Sequence, residues 1–386
     1  MGGAALAIGR MTDCFFYGTL CHAPLLTGVL GRAVAVEPAL LPSHSVFWAA
    51  GGAFPVIVAG GDGARGVLAR DLTDADLARL DFYEDGYDAR VRMVRVEGQG
   101  AACAARVYFP ESGRWQAGAP WCLADWVARW GPAVTATAED FMRHQGLRPP
   151  AELLARYPMM LMRGGARARA RGPAPEREIR RKSGPQDVAV DRCVQTYANY
   201  FSVEEYDLRF RRFDGAMSET VNRAVFLSGD ASVVLPYDPV RDRVLLIEQF
   251  RMGPWARGDG HPWQLEPIAG RIDGGESAES SAFREAVEEA GLRLLRLEPV
   301  ARYYGTPGYS SEMFHSFIGI ADLPDGVAGL GGEEAEHEDI RSHVLSFEAA
   351  MALIGTGEAN NGPLILSLLW LARERDRLRA EAGDAS

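Results

Sequence analysis

Glu285, Glu288 and Glu289 stand three and four residues apart within GRIDGGESAESSAFREAVEEAGL, the stretch from Gly270 to Leu292. On a helix that spacing puts the three carboxylates on one side, where they repel one another unless something positive sits against them. A hard divalent cation is the simplest such partner. Carboxylates and carbonyls suit Mg2+, with Mn2+ as the alternative, and the region has no Cys or His set for zinc. A solvated acidic helix is the bland alternative, but it does not require Gly270 before it, Arg284 inside it and Gly291 after it at fixed intervals. The helix itself is predicted over Ser277 to Ala290, which holds good helix formers and no Gly or Pro. Ser277 suits its N-terminus and Gly291 its C-terminal end.

A second set of residues lies near the start of the chain. Cys14 to Tyr17 reads as a strand running into a turn at Gly18 and Thr19. There Gly18 lets the backbone approach a ligand, and the amides of Tyr17, Gly18, Thr19 and Leu20 can hold a carboxylate. Glu84, within LDFYEDGYDARVRMV, stands where a helix predicted from Thr73 to Tyr83 gives way to a turn and a strand. Taken alone it reads as readily as a solvated turn carboxylate.

These residues need elements to position them, and 386 residues are too many for one ordinary core. In the first half, Val46 to Trp48, Pro55 to Val58, Gly66 to Ala69, Ala89 to Val96 and Ala104 to Phe109 read as further strands. Many short strands with one or two helices predict a compact mixed α+β barrel. Ala138 to Tyr157 reads as a helix interrupted at Gly146 and Pro149, and the Arg, Gly and Pro-rich stretch after it reads as a linker. Val188 to Val203, Tyr206 to Phe213, Ala224 to Leu235, Arg243 to Phe250, Ala301 to Tyr304 and Phe314 to Ala321 read as strands, with a last helix from Gly362 to Ala380. The boundaries follow as 1–162, linker 163–187 and 188–386.

Composition narrows the class. A net charge of −11 opposes a nucleic-acid partner, since phosphate backbones are held by net positive surfaces. No apolar run is long enough to span a bilayer, and MGGAALAIGRMTD is too weakly apolar for a signal peptide, so no membrane partner is expected. The five cysteines are scattered, with no C-x-x-C pair, which fits a reducing, cytoplasmic setting.

Read as spacing, Gly270 to Leu292 is G-x5-E-x7-R-E-U-x-E-E-x-G-U with every fixed position filled, and in this it resembles the Nudix family, whose fold is an α/β/α sandwich. Five further segments, LRFRRFDGAMS, VVLPYDPVRDRVLLIEQFRMG, WQLEPIAGRID, GTPGYSSE and EAEHEDIRSHVL, resemble its ADP-ribose pyrophosphatase branch over about 190 to 375. By residue type, Glu285 and Glu289 are the best metal ligands, with Glu288 sharing or replacing one. Glu276 and Arg284 form an orienting pair, Arg251 clamps a diphosphate in two-pronged geometry, and Glu312 holds ribose hydroxyls. The resemblance adds the Ala269 carbonyl and Glu338 as metal ligands and Glu336 as the base, with Glu333 and Glu334 able to exchange roles with it. It also implies a homodimer paired through residues 190 to 235.

YGTL, AFPVIVAG and LDFYEDGYDARV together resemble the gamma-glutamylcyclotransferase and AIG2-like family over about residues 12 to 160. The resemblance implies that the Tyr17 to Leu20 turn binds the amino-acid end of a gamma-glutamyl compound while Glu84 shuttles a proton. Thr19 stands where Ser is common, and Asp85 where Gly is. The expected function is Mg2+-dependent cleavage of ADP-ribose to AMP and ribose 5-phosphate. Alternatives are another nucleoside diphosphate sugar such as GDP-mannose, gamma-glutamyl cyclotransfer releasing 5-oxoproline as the main activity, and a first domain that binds a ligand without catalysis.

Overall fold

The computed structural model describes residues 11–98, 102–173, 178–332 and 338–384. The chain divides into two compact units, Met1–Ala174 and Pro175–Ser386.

In chain order the first unit contains β1 (Thr12–Phe16), α1 (Ala23–Leu30), β2 (Val36–Leu41), β3 (His44–Ala49), β4 (Pro55–Ala59), β5 (Ala64–Leu72) and α2 (Asp74–Tyr83). It continues with β6 (Tyr87–Val96), β7 (Ala102–Pro110), β8 (Ala117–Pro120), α3 (Leu123–Arg129), α4 (Gly131–Met142), α5 (Pro150–Leu154) and α6 (Tyr157–Ala170). A closed barrel runs β1-β5-β2-β6-β7, and β4-β3-β8 form a separate small sheet. Alternation along β1 explains the layering. Phe15 packs inward with Leu41, Leu68, Val94 and Val107, while Cys14 and Phe16 pack outward against α1 and α4 through Leu25, Val134 and Phe141.

Two strands and three helices of this unit escape the sequence reading for identifiable reasons. β2 carries Pro38 and β8 is only AGAP, so neither shows a strand pattern. α1 reads as a plain apolar run, α3 spans just seven residues, and α4 opens on Gly131-Pro132, where a proline in the first turn is tolerated. The predicted Ala138 to Tyr157 helix is instead the end of α4, a turn with Gly146 at φ 77°, and α5. The linker expected from residue 163 also begins later. α6 continues to Ala170, and Arg163 and Gly164 are buried. The end of that stretch is tied down as well, because Arg181 Nη1 donates to the carbonyls of Arg211 and Arg212 at 2.9 and 3.1 Å.

The second unit contains β9 (Val188–Ala198), β10 (Ser202–Phe210), β11 (Val221–Leu227), β12 (Ala231–Asp238), β13 (Arg243–Phe250), α7 (Met252–Arg257), β14 (Trp263–Glu266) and β15 (Ile268–Arg271). Then come α8 (Ala278–Ala290), β16 (Arg296–Tyr304), β17 (Met313–Ile320), β18 (Leu330–Gly331), β19 (Ile340–Ser346), α9 (Phe347–Thr356) and α10 (Gly362–Asp384). The predicted Ala224 to Leu235 strand splits at Ser228, and its halves belong to different sheets: β11-β10-β9 and the mixed β16-β17-β12-β13-β19-β18.

Every other residue of the central strands faces a different helix layer. On β13, Leu245 and Ile247 pack with Ala278, Ala282 and Ala286 of α8, while Val244 and Leu246 pack with Phe347, Leu364, Leu368 and Leu371 of α9 and α10. That is the expected α/β/α sandwich. β12 and β13 pair only at their turn, Tyr237 with Val244 and Asp238 with Arg243, and then diverge. β15 fills the freed edge of β12 and β14 that of β13, which brings Ala269 and Gly270 under α8.

Candidate active sites

Local chemistry sets α8 as predicted. Ser277 Oγ accepts from the Ser280 amide at 3.1 Å, and Gly291 ends the helix at φ 60°. Burial of Ala278, Ala282 and Ala286 fixes the helix rotation, and the carboxylates follow from it. Glu289 is 2% exposed and accepts the Ala269 amide at 3.1 Å. Glu285 lies over Gly270, where an added Cβ would come within 1.8 Å of Oε1 and would force the carboxylate to move. Arg284 binds across the cluster: Nη1 donates to Glu285 and Glu288, each at 2.7 Å, and Nε and Nη2 donate to Glu276 at 3.1 and 3.0 Å.

Burial pushes the Glu285 carboxyl up to about 7 against the pull of Arg284. Glu289 is pushed well above the carboxylate range, first by burial and then by Glu285. Glu338 adds negative field to both. It comes near as the chain leaving β18 docks on the end of α8, with the Gly332 amide donating to the Glu288 carbonyl at 3.3 Å. Arg251 immediately precedes α7, and its Nε donates to Glu266 of β14 at 2.6 Å. The charge of Arg251 also reaches Glu289 and Glu312. Burial raises Glu312 above its ordinary value, with Arg271 opposing.

The structure thus gathers Glu276, Arg284, Glu285, Glu288, Glu289, Glu338 and Ala269 along one side of α8, with Arg251 and Glu312 within electrostatic range. Glu336, with Glu333 and Glu334, lies outside the described residues. Among the described residues no three His, Cys, Asp or Glu side chains converge closely enough to hold a metal ion, and the carboxylates are instead hydrogen-bonded to Arg284 and to the Ala269 amide. The donor set still fits a hard cation. Two carboxylates whose charged forms are disfavoured by burial and by neighbouring carboxylates lie side by side, Glu285 over Gly270 and Glu289 against the Ala269 amide. His343 pairs with Glu248 at 2.9 Å, and His315 lies 3.8 Å from Asp230.

In the first unit, Tyr17, Gly18, Thr19, Leu20 and Glu84 line one pocket of about 410 Å3, part of it open to solvent. The Tyr17 side chain is not free for a ligand, since its hydroxyl donates to the Tyr108 carbonyl at 2.8 Å, and Leu20 is core. Gly18 meets the protein rather than a ligand, because a Cβ there would lie 2.6 Å from Pro55 Cγ.

Glu84 is the C-terminal cap of α2, and among the described residues its carboxyl has no hydrogen-bond partner. Burial pushes it up to about 7. Phe54, Pro55, Tyr87 and Tyr108 also line it, with Phe15 and Phe16 of β1. Sequence reading does not single them out, although Phe54 and Pro55 open the quoted AFPVIVAG segment and Tyr87 follows Glu84 by three.

A family model described as Gamma-glutamyl cyclotransferase, AIG2-like matches residues 14–128, and one described as NUDIX domain matches residues 228–368. An ADP-ribose pyrophosphatase of Escherichia coli K12 is 40% identical over 198 residues, covering 51% of this chain and 94% of the relative. One from Haemophilus influenzae is 35% identical over 188 residues, covering 48% and 86%. A GDP-mannose pyrophosphatase of Escherichia coli O1:K1 is 32% identical over 173 residues, covering 45% and 88%. A solved structure described as "Crystal structure of ADP compounds hydrolase" aligns over 51% of this chain and all of its own, at 21% identity and a TM-score of 0.40.

Proposed function

The chain belongs to the Nudix family, its second unit a pyrophosphohydrolase for nucleoside diphosphate sugars, and from that premise we propose ADP-ribose as the substrate and Mg2+ as the cofactor. The products are AMP and ribose 5-phosphate. The observation that carries this reading is the pair of buried carboxylates, Glu285 and Glu289, held over Gly270 and Ala269 within the field of Arg251.

Glu285, Glu289 and Glu338, with Glu288 and the Ala269 carbonyl, would hold the metal, which when bound supplies charge neutralisation of the diphosphate and a water of lowered pKa. Arg251 binds the diphosphate oxygens, exchanging part of its pairing with Glu266 for them. Arg284, anchored on Glu276 by two hydrogen bonds, orients Glu285. Glu312 accepts from the terminal ribose hydroxyls, and Glu336 takes the proton from the attacking water. A homodimer formed through residues 190 to 235 completes the nucleoside side.

Nucleotide release from ADP-ribose and from GDP-mannose tests the substrate. A higher kcat/KM on ADP-ribose is expected, and a preference for GDP-mannose overturns it. Loss of turnover in chelator, restored by Mg2+ and less well by Mn2+, is the expected cofactor result.

For the first unit the reading is gamma-glutamyl cyclotransfer, carried by Glu84, an unpartnered carboxyl facing the Tyr17 to Leu20 turn in one pocket. The turn's amides take the substrate's α-carboxylate. Glu84 accepts a proton from the attacking α-amine and returns it to the departing nitrogen. Release of 5-oxoproline from a gamma-glutamyl panel tests it. Ligand binding without turnover would favour the non-catalytic module.

A further inference from the structure

The spacing G-x5-E-x7-R-E-U-x-E-E-x-G-U fixes glycine at position 270 and leaves position 271 open, so Arg271 belongs to this chain rather than to the motif. Its backbone is pinned beside the carboxylate cluster. The Arg271 carbonyl accepts from Arg284 Nη2 at 3.1 Å and from Ser281 Oγ at 3.3 Å, and the residue pairs with Ala231 at the start of β12. From there the side chain reaches the turn between β9 and β10. Its guanidinium lies 3.8 Å from the Tyr200 ring centroid and 4.9 Å from that of Phe201.

This aromatic platform is itself anchored. Tyr200 meets Phe201 edge-on at 4.8 Å, and Phe201 packs on Phe226 at 4.5 Å. Phe226 also ties in the loop that carries Glu312, because its amide donates to the Tyr309 carbonyl at 2.7 Å and its carbonyl accepts from the Ser311 amide at 3.0 Å. Glu312 is thereby brought within the field of Arg271, which opposes the effect of burial on its carboxyl, and Arg251 acts in the same sense. Two guanidiniums, one from β15 and one just past β13, thus bear on one carboxylate.

With the nucleoside lying towards the 190–235 segment, which includes Tyr200 and Phe201, and the terminal ribose at Glu312, the diphosphate runs between the two. Arg271 spans that interval. Stacking uses the face of a guanidinium, whereas its N–H donors lie in the plane and match phosphate oxygens in pairs.

We propose that Arg271 binds the phosphoryl group on the nucleoside side of the substrate's diphosphate, with Arg251 binding the one on the sugar side. The inference rests on reading the second unit as a nucleoside diphosphate sugar hydrolase with the ribose at Glu312. The phosphoryl charge is present before and during cleavage, so this contact serves the bound substrate and the transition state alike, and its loss falls on KM.

The full chain with Mg2+ is assayed for nucleotide release from ADP-ribose, with melting temperature recorded for every variant. Arg271→Met keeps an apolar stem on the platform and removes the charge; its KM should rise about 10- to 100-fold with kcat within about 3-fold of the parent. Arg271→Lys, which keeps the charge without the planar fork, should recover part of that loss. Tyr200 is 53% exposed, so Tyr200→Ala is a mild change, and it should raise KM by about 3-fold through the lost stacking. Product inhibition locates the contact. In Arg271→Met the inhibition constant of AMP, which carries the nucleoside-side phosphoryl group, should rise with KM, while that of ribose 5-phosphate stays within about 3-fold.

An unchanged KM in Arg271→Met overturns the proposal, as does a rise for ribose 5-phosphate without one for AMP. An equal rise for both products with a lowered melting temperature also overturns it, since that marks a structural role. If the parent prefers GDP-mannose, the ADP-ribose reading falls, and the same comparison is made with GMP and mannose 1-phosphate. If neither substrate is turned over, titration calorimetry with AMP and GMP decides: binding weakened by Arg271→Met supports the proposal, and binding that ignores the change, or no binding, overturns it.

Discussion

At 2% exposure Glu289 holds a carboxyl that burial and Glu285 both push towards its neutral form, and it accepts a hydrogen bond from the Ala269 amide. Glutamine keeps the shape and that bond while removing the charge. Glu289→Gln is therefore expected to melt no lower than the parent, yet to lose about 100-fold or more in kcat on ADP-ribose if the charge serves a bound metal. Calorimetry and a nucleotide-release assay check the two halves.

Glu84 supplies a pH signature. Its carboxyl titrates at about 7 when folded, against an ordinary 4.5. Between those values the folded state binds the extra proton, so stability falls as pH rises from 4.5 towards 7, by on the order of 2–3 kcal/mol. Glu84→Gln should remove that slope in urea titrations of the first unit. In the parent, 5-oxoproline release should rise through pH 7 as the base form appears.

At the scale of elements, α2 matters because it delivers Glu84 at its C-terminal end. A capping box fixes its start: the Asp76 amide donates to Thr73 Oγ1 at 3.2 Å, and the Thr73 amide donates to Asp76 at 2.9 Å. Arg32 Nε donates to the same carboxylate at 3.0 Å, and Arg32 with Thr73 holds the Asp76 carboxyl down to about 2. A depressed value means stabilisation present above the ordinary 3.8 and lost as pH falls towards 2. Arg32→Gln should move the acid-unfolding midpoint of the first unit upward, read by circular dichroism across that window. α8 has a comparable cap, and Ser277→Ala should cost about 1 kcal/mol.

These helices were open to sequence reading because caps, and i, i+3, i+4 patterns, are decided within a few residues. β14, β15 and β18 were not, being short or dependent on a partner edge left free by the divergence of β12 and β13.

At the scale of the whole molecule, the two compact units each carry their own apolar clusters. Residues 11–174 and 175–386 are expected to fold when expressed apart, and the full chain to unfold in two transitions rather than one. Hydrolysis of ADP-ribose should stay with the second fragment. A single transition in calorimetry, or an insoluble second fragment, would count against independent units. Among the described residues no helix is long and apolar enough to cross a membrane.

Sequence by itself determined the presence of two domains, the barrel and sandwich classes, and the helix that carries Glu285, Glu288 and Glu289. Those follow from composition, from period-2 and period-3.6 patterns, and from motif spacing, all of which are local. Only the tertiary structure decided that Arg284 bridges those carboxylates, that Gly270 makes room for one of them, and that α6 runs on into the expected linker. It also decided that residues 17–20, 54–55, 84, 87 and 108 share a cavity. Closing a barrel brings together side chains from strands far apart in the chain, and no spacing along one strand encodes which of them will meet.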